Sequence, residues 1–394
     1  MNGKYQSGDV LETTIEKIVP RGYGLGFAEE LTLFVALAAK GDRLLVRLRE
    51  IKGKTAFAEI EEIIEPSRDR TDPLCPYFGE CGGCNFQQLK YAAQLDAKLA
   101  MVRDCLERIG KIDAAIPIEM VPCPEPFGYR LRAQWHADPE IGKIGYYRRN
   151  SRDLVEIEHC AVLAPPLDAL LGELRTPPNR IIADTTVQID AACGETDETS
   201  MHSPELPEPA QEITWSAGGE RYVFTAEAFF QGNRFLLDRL IKSAIGEATG
   251  GTALDLYCGV GLFTIPLARR FECVVGIEEN RIAVDFAKRN AVAAYLENVE
   301  LHRGSVRQFL ANYRMTRPDF VLLDPPRAGT EKETILDLIS LKPKHVSYVA
   351  CEPSVLARDL KRFVENGYQI GSLTVIDLFP QTHHVETIAH LYPE

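Results

Sequence analysis

Two cysteine settings in this chain could do chemistry, and they point in different directions. In "CPYFGECGGC", Cys75, Cys81 and Cys84 follow the spacing C-x5-C-x2-C. Short glycine links let several thiolates converge, so the run suits zinc or an iron–sulfur cluster. A fourth ligand is then needed, with Cys105, Cys123, Cys160 and Cys193 as candidates. Cys160, in "EIEHCAVLAPP", attracts notice because it follows a strand-like run. Cys351, in "HVSYVACEPSVLARDL", stands where an apolar strand-like run meets a helix-like one. There a cysteine is expected to be exposed at the ligand edge of a sheet. A helix N-terminus would also favour its thiolate, as a nucleophile requires. The plainer reading is a core cysteine at a strand end.

A second constellation suits a nucleotide-like ligand. "ALDLYCGVGLFTIPLA" reads as strand, glycine turn at Gly259 and Gly261, then helix. Glycine permits close backbone approach, and a helix N-terminus favours polar ligand groups. Glu278 follows at the end of the next strand, placed to accept from ribose hydroxyls. Thr264 occupies the third fingerprint position, which favours S-adenosylmethionine over NAD. "FVLLDPPRAG" ends another strand, putting Asp324 and a stiff Pro-Pro loop at the ligand edge.

These residues need a scaffold. From 250 onward, strand-like runs ("TALDLY", "CVVGIE", "VELHR", "FVLLD", "HVSYVA", "GSLTVID", "ETIAHLY") have helical segments between the first six. That pattern predicts a doubly wound α/β domain of seven strands. Residues 10–64 alternate as five short strands punctuated by glycines, which predicts a small barrel of the oligonucleotide-binding type. Lys40, Arg43, Arg47, Arg49, Lys52 and Lys54 form a basic stretch there, readable as an RNA contact or as a solvated strand face. Residues 88–109 predict one helix stopped at Gly110, and 127–225 alternate short strands and loops. "CGETDETSMHSPELPEPA" predicts a surface loop.

The formal net charge is −13, which would disfavour a polyanion if spread evenly. It is not even. Residues 184–220 hold nine Asp or Glu and no Lys or Arg. Residues 128–152 hold Arg130, Arg132, Lys143, Arg148, Arg149 and Arg152 among Tyr129, Trp135, Tyr146 and Tyr147. That mixture suits RNA, although a solvated hairpin is the bland alternative. No apolar run predicts a membrane span, and "MNGKYQSGDVLETT" lacks an export pattern. A reducing, cytoplasmic setting and a monomer are expected.

Taken in order, these motifs resemble the S-adenosylmethionine-dependent RNA (uracil-5-)-methyltransferases, over nearly the whole chain. The resemblance implies a TRAM-like barrel over 1–65, a central iron–sulfur and RNA-binding domain over 66–225, and a catalytic domain over 226–394. It implies a 4Fe–4S cluster on Cys75, Cys81, Cys84 and Cys160. In "AEAFFQGN", Gln231 would contact the methyl donor, with Tyr257, Gly259, Gly261, Glu278 and Asp324 at further cofactor positions. Cys351 would be the nucleophile, and Glu386, in "PQTHHVETIAHL", the proton acceptor; His383 and His384 are alternative bases. Arg130, Arg132, Arg148 and Arg149 would face RNA, 23S ribosomal RNA before transfer RNA. Two positions depart from the family pattern: Glu352 where Asn or Asp is usual, and Leu262 where Asn is frequent. A radical enzyme acting on transfer RNA would need a C-x3-C-x2-C triad, which is absent. A non-catalytic RNA-binding module would have no need of Cys351 or Glu386.

Overall fold

The alternation over residues 10–64 folds as five strands: β1 (Val10–Val19), β2 (Tyr23–Ala28), β3 (Leu31–Val35), β4 (Arg43–Lys52) and β5 (Thr55–Glu65). They close into a barrel in the order β1-β2-β3-β5-β4. Every second residue points inward, so Leu31, Leu33, Val35, Leu44, Val46, Leu48 and Ala56 make one core. A Cβ at Gly26 would come within 2.4 Å of the Thr13 hydroxyl, so β1 and β2 approach this closely only with glycine there. This computed structural model describes residues 5–113, 115–140, 142–176, 186–205, 208–313 and 317–394. It divides into two units: residues 1–104, 147–155 and 379–384, and the remainder.

The basic stretch of β4 is not a free cationic face. Arg43 pairs with Glu12 (2.5 Å) and Glu65 (2.8 Å), Arg47 with Glu61 (2.7 Å), Arg49 with Glu59 (2.6 Å) and Lys52 with Glu50 (2.7 Å). Of the two readings of this segment, the solvated strand face fits that pairing. Helix α1 (Tyr91–Cys105) is shorter than expected, because a wider turn, Leu106–Gly110, replaces its last residues.

After α1 come β6 (Ile118–Val121), β7 (Arg132–Asp138), β8 (Lys143–Tyr147), a short β9 (Leu154–Glu156) and α2 (Pro165–Leu174). Next come β10 (Val187–Cys193), β11 (Thr199–His202) and the hairpin β12 (Ile213–Ala217) and β13 (Glu220–Phe224). β11 corrects the expected surface loop. Its Ser200 is buried, it pairs with β10, and Gly194 N–H donates to Glu198 O across the turn. A polar composition hid a hairpin; residues 206–207 of that stretch lie outside the described residues.

The chain then alternates α3 (Leu237–Ile245), β14 (Gly250–Leu256), α4 (Thr264–Ala268), β15 (Phe271–Glu278), α5 (Arg281–Ala293), β16 (Val299–Arg303), α6 (Val306–Asn312), β17 (Phe320–Leu323), α7 (Lys332–Ser340), β18 (His345–Ala350), α8 (Pro353–Glu365), β19 (Tyr368–Ile376) and β20 (Glu386–Pro393). The sheet order is β16-β15-β14-β17-β18-β20-β19-β6. All seven expected strands are present. The eighth, β6, pairs in parallel with β19 and comes from far upstream in "IPIEMVPCP". Four residues between prolines carry too little periodicity to announce a strand. The central parallel strands are covered on both faces, so Phe320–Leu323 is buried at every position. The winding reverses between β14 and β17, and the carboxyl edge at such a switch is where ligands bind.

Candidate active site at the sheet edge

Three parallel strands deliver their exits to this edge, and one antiparallel strand delivers its start. β14 exits at Tyr257, β17 at Asp324 and β18 at Cys351. β20 runs the opposite way beside β18, with Ala350 opposite Thr387. One step further along that register stand Cys351 and Glu386. The single antiparallel strand is what brings a carboxylate near the end of the chain to the same edge as the cysteine.

The β14 turn is bent for a purpose. Tyr257, Gly259 and Gly261 all have positive φ (68°, 54° and 93°), a conformation costly for Tyr257. The Tyr257 and Cys258 N–H groups both donate to Ile277 O, and the Tyr257 hydroxyl bonds that of Thr330 (2.8 Å). Glu278 braces the turn: its carboxylate accepts from Gly259 N–H (3.1 Å) and Asn280 N–H (2.8 Å). Asp324 accepts from the Gln231 amide (3.0 Å). Burial, then the charge of Asp255, pushes Asp324 up to about 7, against the pull of the Gln231 bond. Leu262 is buried, and its carbonyl accepts from the Tyr222 hydroxyl.

Cys351 is half-buried in a cleft between the Pro325–Gly329 loop and the Tyr348–Val355 segment. Burial first, then the charges of Glu386 and Asp324, push its thiol up to about 12, while Arg327 opposes them. Half-burial and two carboxylates thus work against the exposed, thiolate-favouring setting expected from the sequence. Glu386 is buried, and its Oε1 has no hydrogen-bond partner. Burial and Asp324 hold its carboxyl well above the usual range, and Arg327 again opposes. Glu352 turns to the helix: its side chain caps α8, accepting from the Ser354 hydroxyl (2.8 Å). Arg327 is the residue that sequence reasoning passed over, although it stands in the quoted "DPPR" run.

The remaining candidates stand on other elements. His383 belongs to the first unit, where Asn85 donates to its Nδ1 (2.8 Å) and accepts from its backbone N–H (2.9 Å). Arg132 is half-buried, its guanidinium donating to Ala226 O and Ala228 O (both 2.7 Å); Arg130 Nε donates to Arg132 O. Arg148 is exposed and pairs with Glu80 (3.0 Å), and Arg149 is half-buried. Cys75, Cys81 and Cys84 share one loop of the first unit, half-buried, while Cys160 belongs to the second, where its N–H donates to Asp168. Among the described residues, no three His, Cys, Asp or Glu side chains gather into a group able to hold a metal ion. No described helix is long and apolar enough to cross a membrane.

Known proteins are similar to this chain over most of its length. The family model described as tRNA (Uracil-5-)-methyltransferase matches residues 215–392. The 23S rRNA (uracil(1939)-C(5))-methyltransferase RlmD of Aeromonas salmonicida is 31% identical, covering 96% of this chain and 95% of that protein. The protein of the same name from Vibrio cholerae is 30% identical over 95% of this chain and 94% of that one. The structure of Pyrococcus abyssi tRNA (uracil-54, C5)-methyltransferase with S-adenosyl-L-homocysteine shares the fold, with TM-score 0.72 and 24% identity over 96% of this chain and 100% of that chain. The chain belongs to the S-adenosylmethionine-dependent RNA (uracil-5-)-methyltransferase family.

Proposed function

We propose that this enzyme methylates carbon 5 of a uridine in 23S ribosomal RNA, with Cys351 as nucleophile and Glu386 as proton acceptor. One observation carries the reading: Glu386 is buried with Oε1 unpartnered, at the register position opposite Cys351, one step beyond the Ala350–Thr387 pair. A buried polar atom left unpaired calls for an explanation, and a substrate-facing role supplies one.

Carbon 5 of uracil is a poor nucleophile. Bond formation between Cys351 Sγ and carbon 6 moves electrons onto the ring as an enolate, and carbon 5 becomes nucleophilic. Once carbon 5 carries the methyl group, Glu386 takes its remaining proton. The electrons of that C–H bond reform the ring double bond and expel the thiolate. Burial and the nearby carboxylates raise the Cys351 thiol, so the proton it gives up on attack passes to solvent and is regained when the thiolate is expelled. The Arg327 cation favours both ionised partners.

Gln231, Tyr257, Gly259, Gly261, Glu278 and Asp324 are the residues to hold S-adenosylmethionine, which when bound supplies an electrophilic methyl group. The fit rests on acceptor carboxylates at the strand ends and on room at the turn. A Cβ on Gly259 or Gly261 would meet nothing nearer than 3.6 Å. Arg148 and Arg149 are proposed to meet RNA phosphate, and Arg130 and Arg132 to shape the loop at 226–228. A 4Fe–4S cluster on Cys75, Cys81, Cys84 and Cys160 would require the four thiols to converge. Iron and sulfide analysis of protein purified without oxygen tests this, and a result without iron removes the cluster.

The deciding experiment incubates the protein and labelled S-adenosylmethionine with unmodified 23S ribosomal RNA and, separately, unmodified transfer RNA. We expect 5-methyluridine in the ribosomal RNA. Product in transfer RNA alone would reassign the substrate, and none in either would sink the reading.

A further inference from the structure

The "ARDL" part of the Cys351 motif has no role in the chemistry above, yet it holds one of the most completely buried acids in the chain. Asp359, on α8, has no exposed surface. Both of its oxygens are in use. Oδ1 accepts from Arg358 Nε (2.9 Å) and from Arg362, and Oδ2 accepts from Arg358 Nη2 (3.0 Å) and the Tyr348 hydroxyl (2.9 Å).

The partners all stand on the wall made by β18 and α8, and one of them reaches the other wall. Tyr348 lies on β18, three residues before Cys351. Arg358 reaches across to the other wall, donating to Thr330 O (3.4 Å) at the end of the loop that starts at Asp324. The Thr330 hydroxyl in turn bonds Tyr257 at the β14 turn. The same loop is pressed on α8: a Cβ at Gly329 would come within 2.2 Å of Val355 and 3.0 Å of Arg358. One buried carboxylate thus ties the nucleophile's strand and helix to the loop bearing Asp324 and Arg327.

We infer that Asp359 is a positioning residue, holding Cys351 at a fixed distance from the Asp324–Thr330 loop so that its sulfur is aimed at the face of carbon 6. This rests on the reading of Cys351 as nucleophile. Neutralising Asp359 would leave two arginines facing each other without their shared acceptor and free Tyr348. The cleft walls would separate while the carboxylates at the cofactor turn stay in place. Displacement by about 1 Å can cost on the order of a hundredfold in rate.

The test uses the full-length enzyme in a Glu386→Gln background, in which the covalent protein–RNA adduct is expected to persist. Adduct formation is timed at saturating RNA and S-adenosylmethionine, well below the melting temperature. Asp359→Asn should slow it about 10- to 100-fold while changing S-adenosylmethionine affinity less than about threefold. Tyr348→Phe removes one link only, and should slow it by a smaller factor in the same direction. Asp359→Glu, which keeps the charge, should recover part of the rate. Adduct rates within about twofold of the parent for both Asp359→Asn and Tyr348→Phe, with only thermal stability reduced, would make Asp359 merely structural. Should Asp359→Asn not fold, Tyr348→Phe decides alone. No adduct even in the Glu386→Gln parent would break the reading of Cys351 instead.

Discussion

The barrel and the catalytic edge treat their ionisable groups in opposite ways. On β4, Arg43, Arg47, Arg49 and Lys52 each have a glutamate partner in the solvent-facing layer. At the sheet edge the groups are buried and under-partnered: Asp255 Oδ1 and Glu386 Oε1 have no hydrogen-bond donor, and Asp324 and Cys351 are pushed far from their usual ionisation. Exposed pairs cost little to form and contribute little. Buried, unpaired acids cost stability and persist where they serve a reaction. Charge count alone would have ranked the two regions the wrong way round.

The sharpest break in this comparison is removal of the under-partnered pair. Cys351→Ala should lower turnover at least about a thousandfold, because the step it begins has no substitute. Glu386→Gln should stop the reaction later, with methylated RNA still bound to Cys351. Denaturing electrophoresis would show a protein–RNA band in Glu386→Gln and none in Cys351→Ala. Normal turnover in Glu386→Gln would remove that carboxylate from the mechanism.

Arg327 tests whether the edge is electrostatically tuned. Its cation lowers both raised groups, so Arg327→Gln should raise both further. Both must lose a proton to act, so activity rises with pH, and the variant's rising limb should shift to higher pH. At pH 7 the loss should be about three- to tenfold, shrinking as pH rises. A uniform loss across pH would mean that Arg327 acts through substrate contact alone.

How far the sequence reaches differs between these regions for physical reasons. Buried parallel strands are apolar runs, so β14 through β18 are readable, and the Tyr257, Asp324 and Cys351 exits follow from their ends. β6 and β11 are not, because one is four residues between prolines and the other sits in an acidic stretch. The spacing of Cys75, Cys81 and Cys84 is legible, but spacing alone does not say what the thiols hold. The ionisation of Cys351 depends on Glu386, which reaches it only through the register of β20. The basic stretch misleads because its partners, Glu12, Glu59, Glu61 and Glu65, stand on the neighbouring strands β1 and β5.

Glu352 lies within the catalytic region yet behaves like the barrel's charges, as a satisfied group. Its carboxylate caps α8 at Ser354, so Glu352→Ala should cost stability of about 1 kcal/mol and leave the rate nearly unchanged. A large fall in kcat with melting unchanged would show instead that the side chain leaves the cap to orient the base. Glu352→Asn, which also caps helices, should restore the melting temperature.

The smallest effect belongs to the barrel. Arg47 is held by Glu61 through two hydrogen bonds, Nε to Oε2 at 2.8 Å and Nη2 to Oε1 at 2.7 Å, and both side chains are open to solvent. Water and salt screen such a pair, so Arg47→Ala should move the melting temperature by less than about 2 °C. RNA affinity is the more informative measurement. A cation already neutralised by its glutamate releases few counterions from RNA, so the slope of log affinity against log salt should be unchanged. A slope reduced by about one contact would mean that Arg47 leaves Glu61 for a phosphate on binding. Glu61→Gln separates the two cases: by freeing the arginine it should strengthen RNA binding only if β4 faces the nucleic acid. If it does not, the paired face of the barrel is structural, and recognition falls to the rest of the molecule.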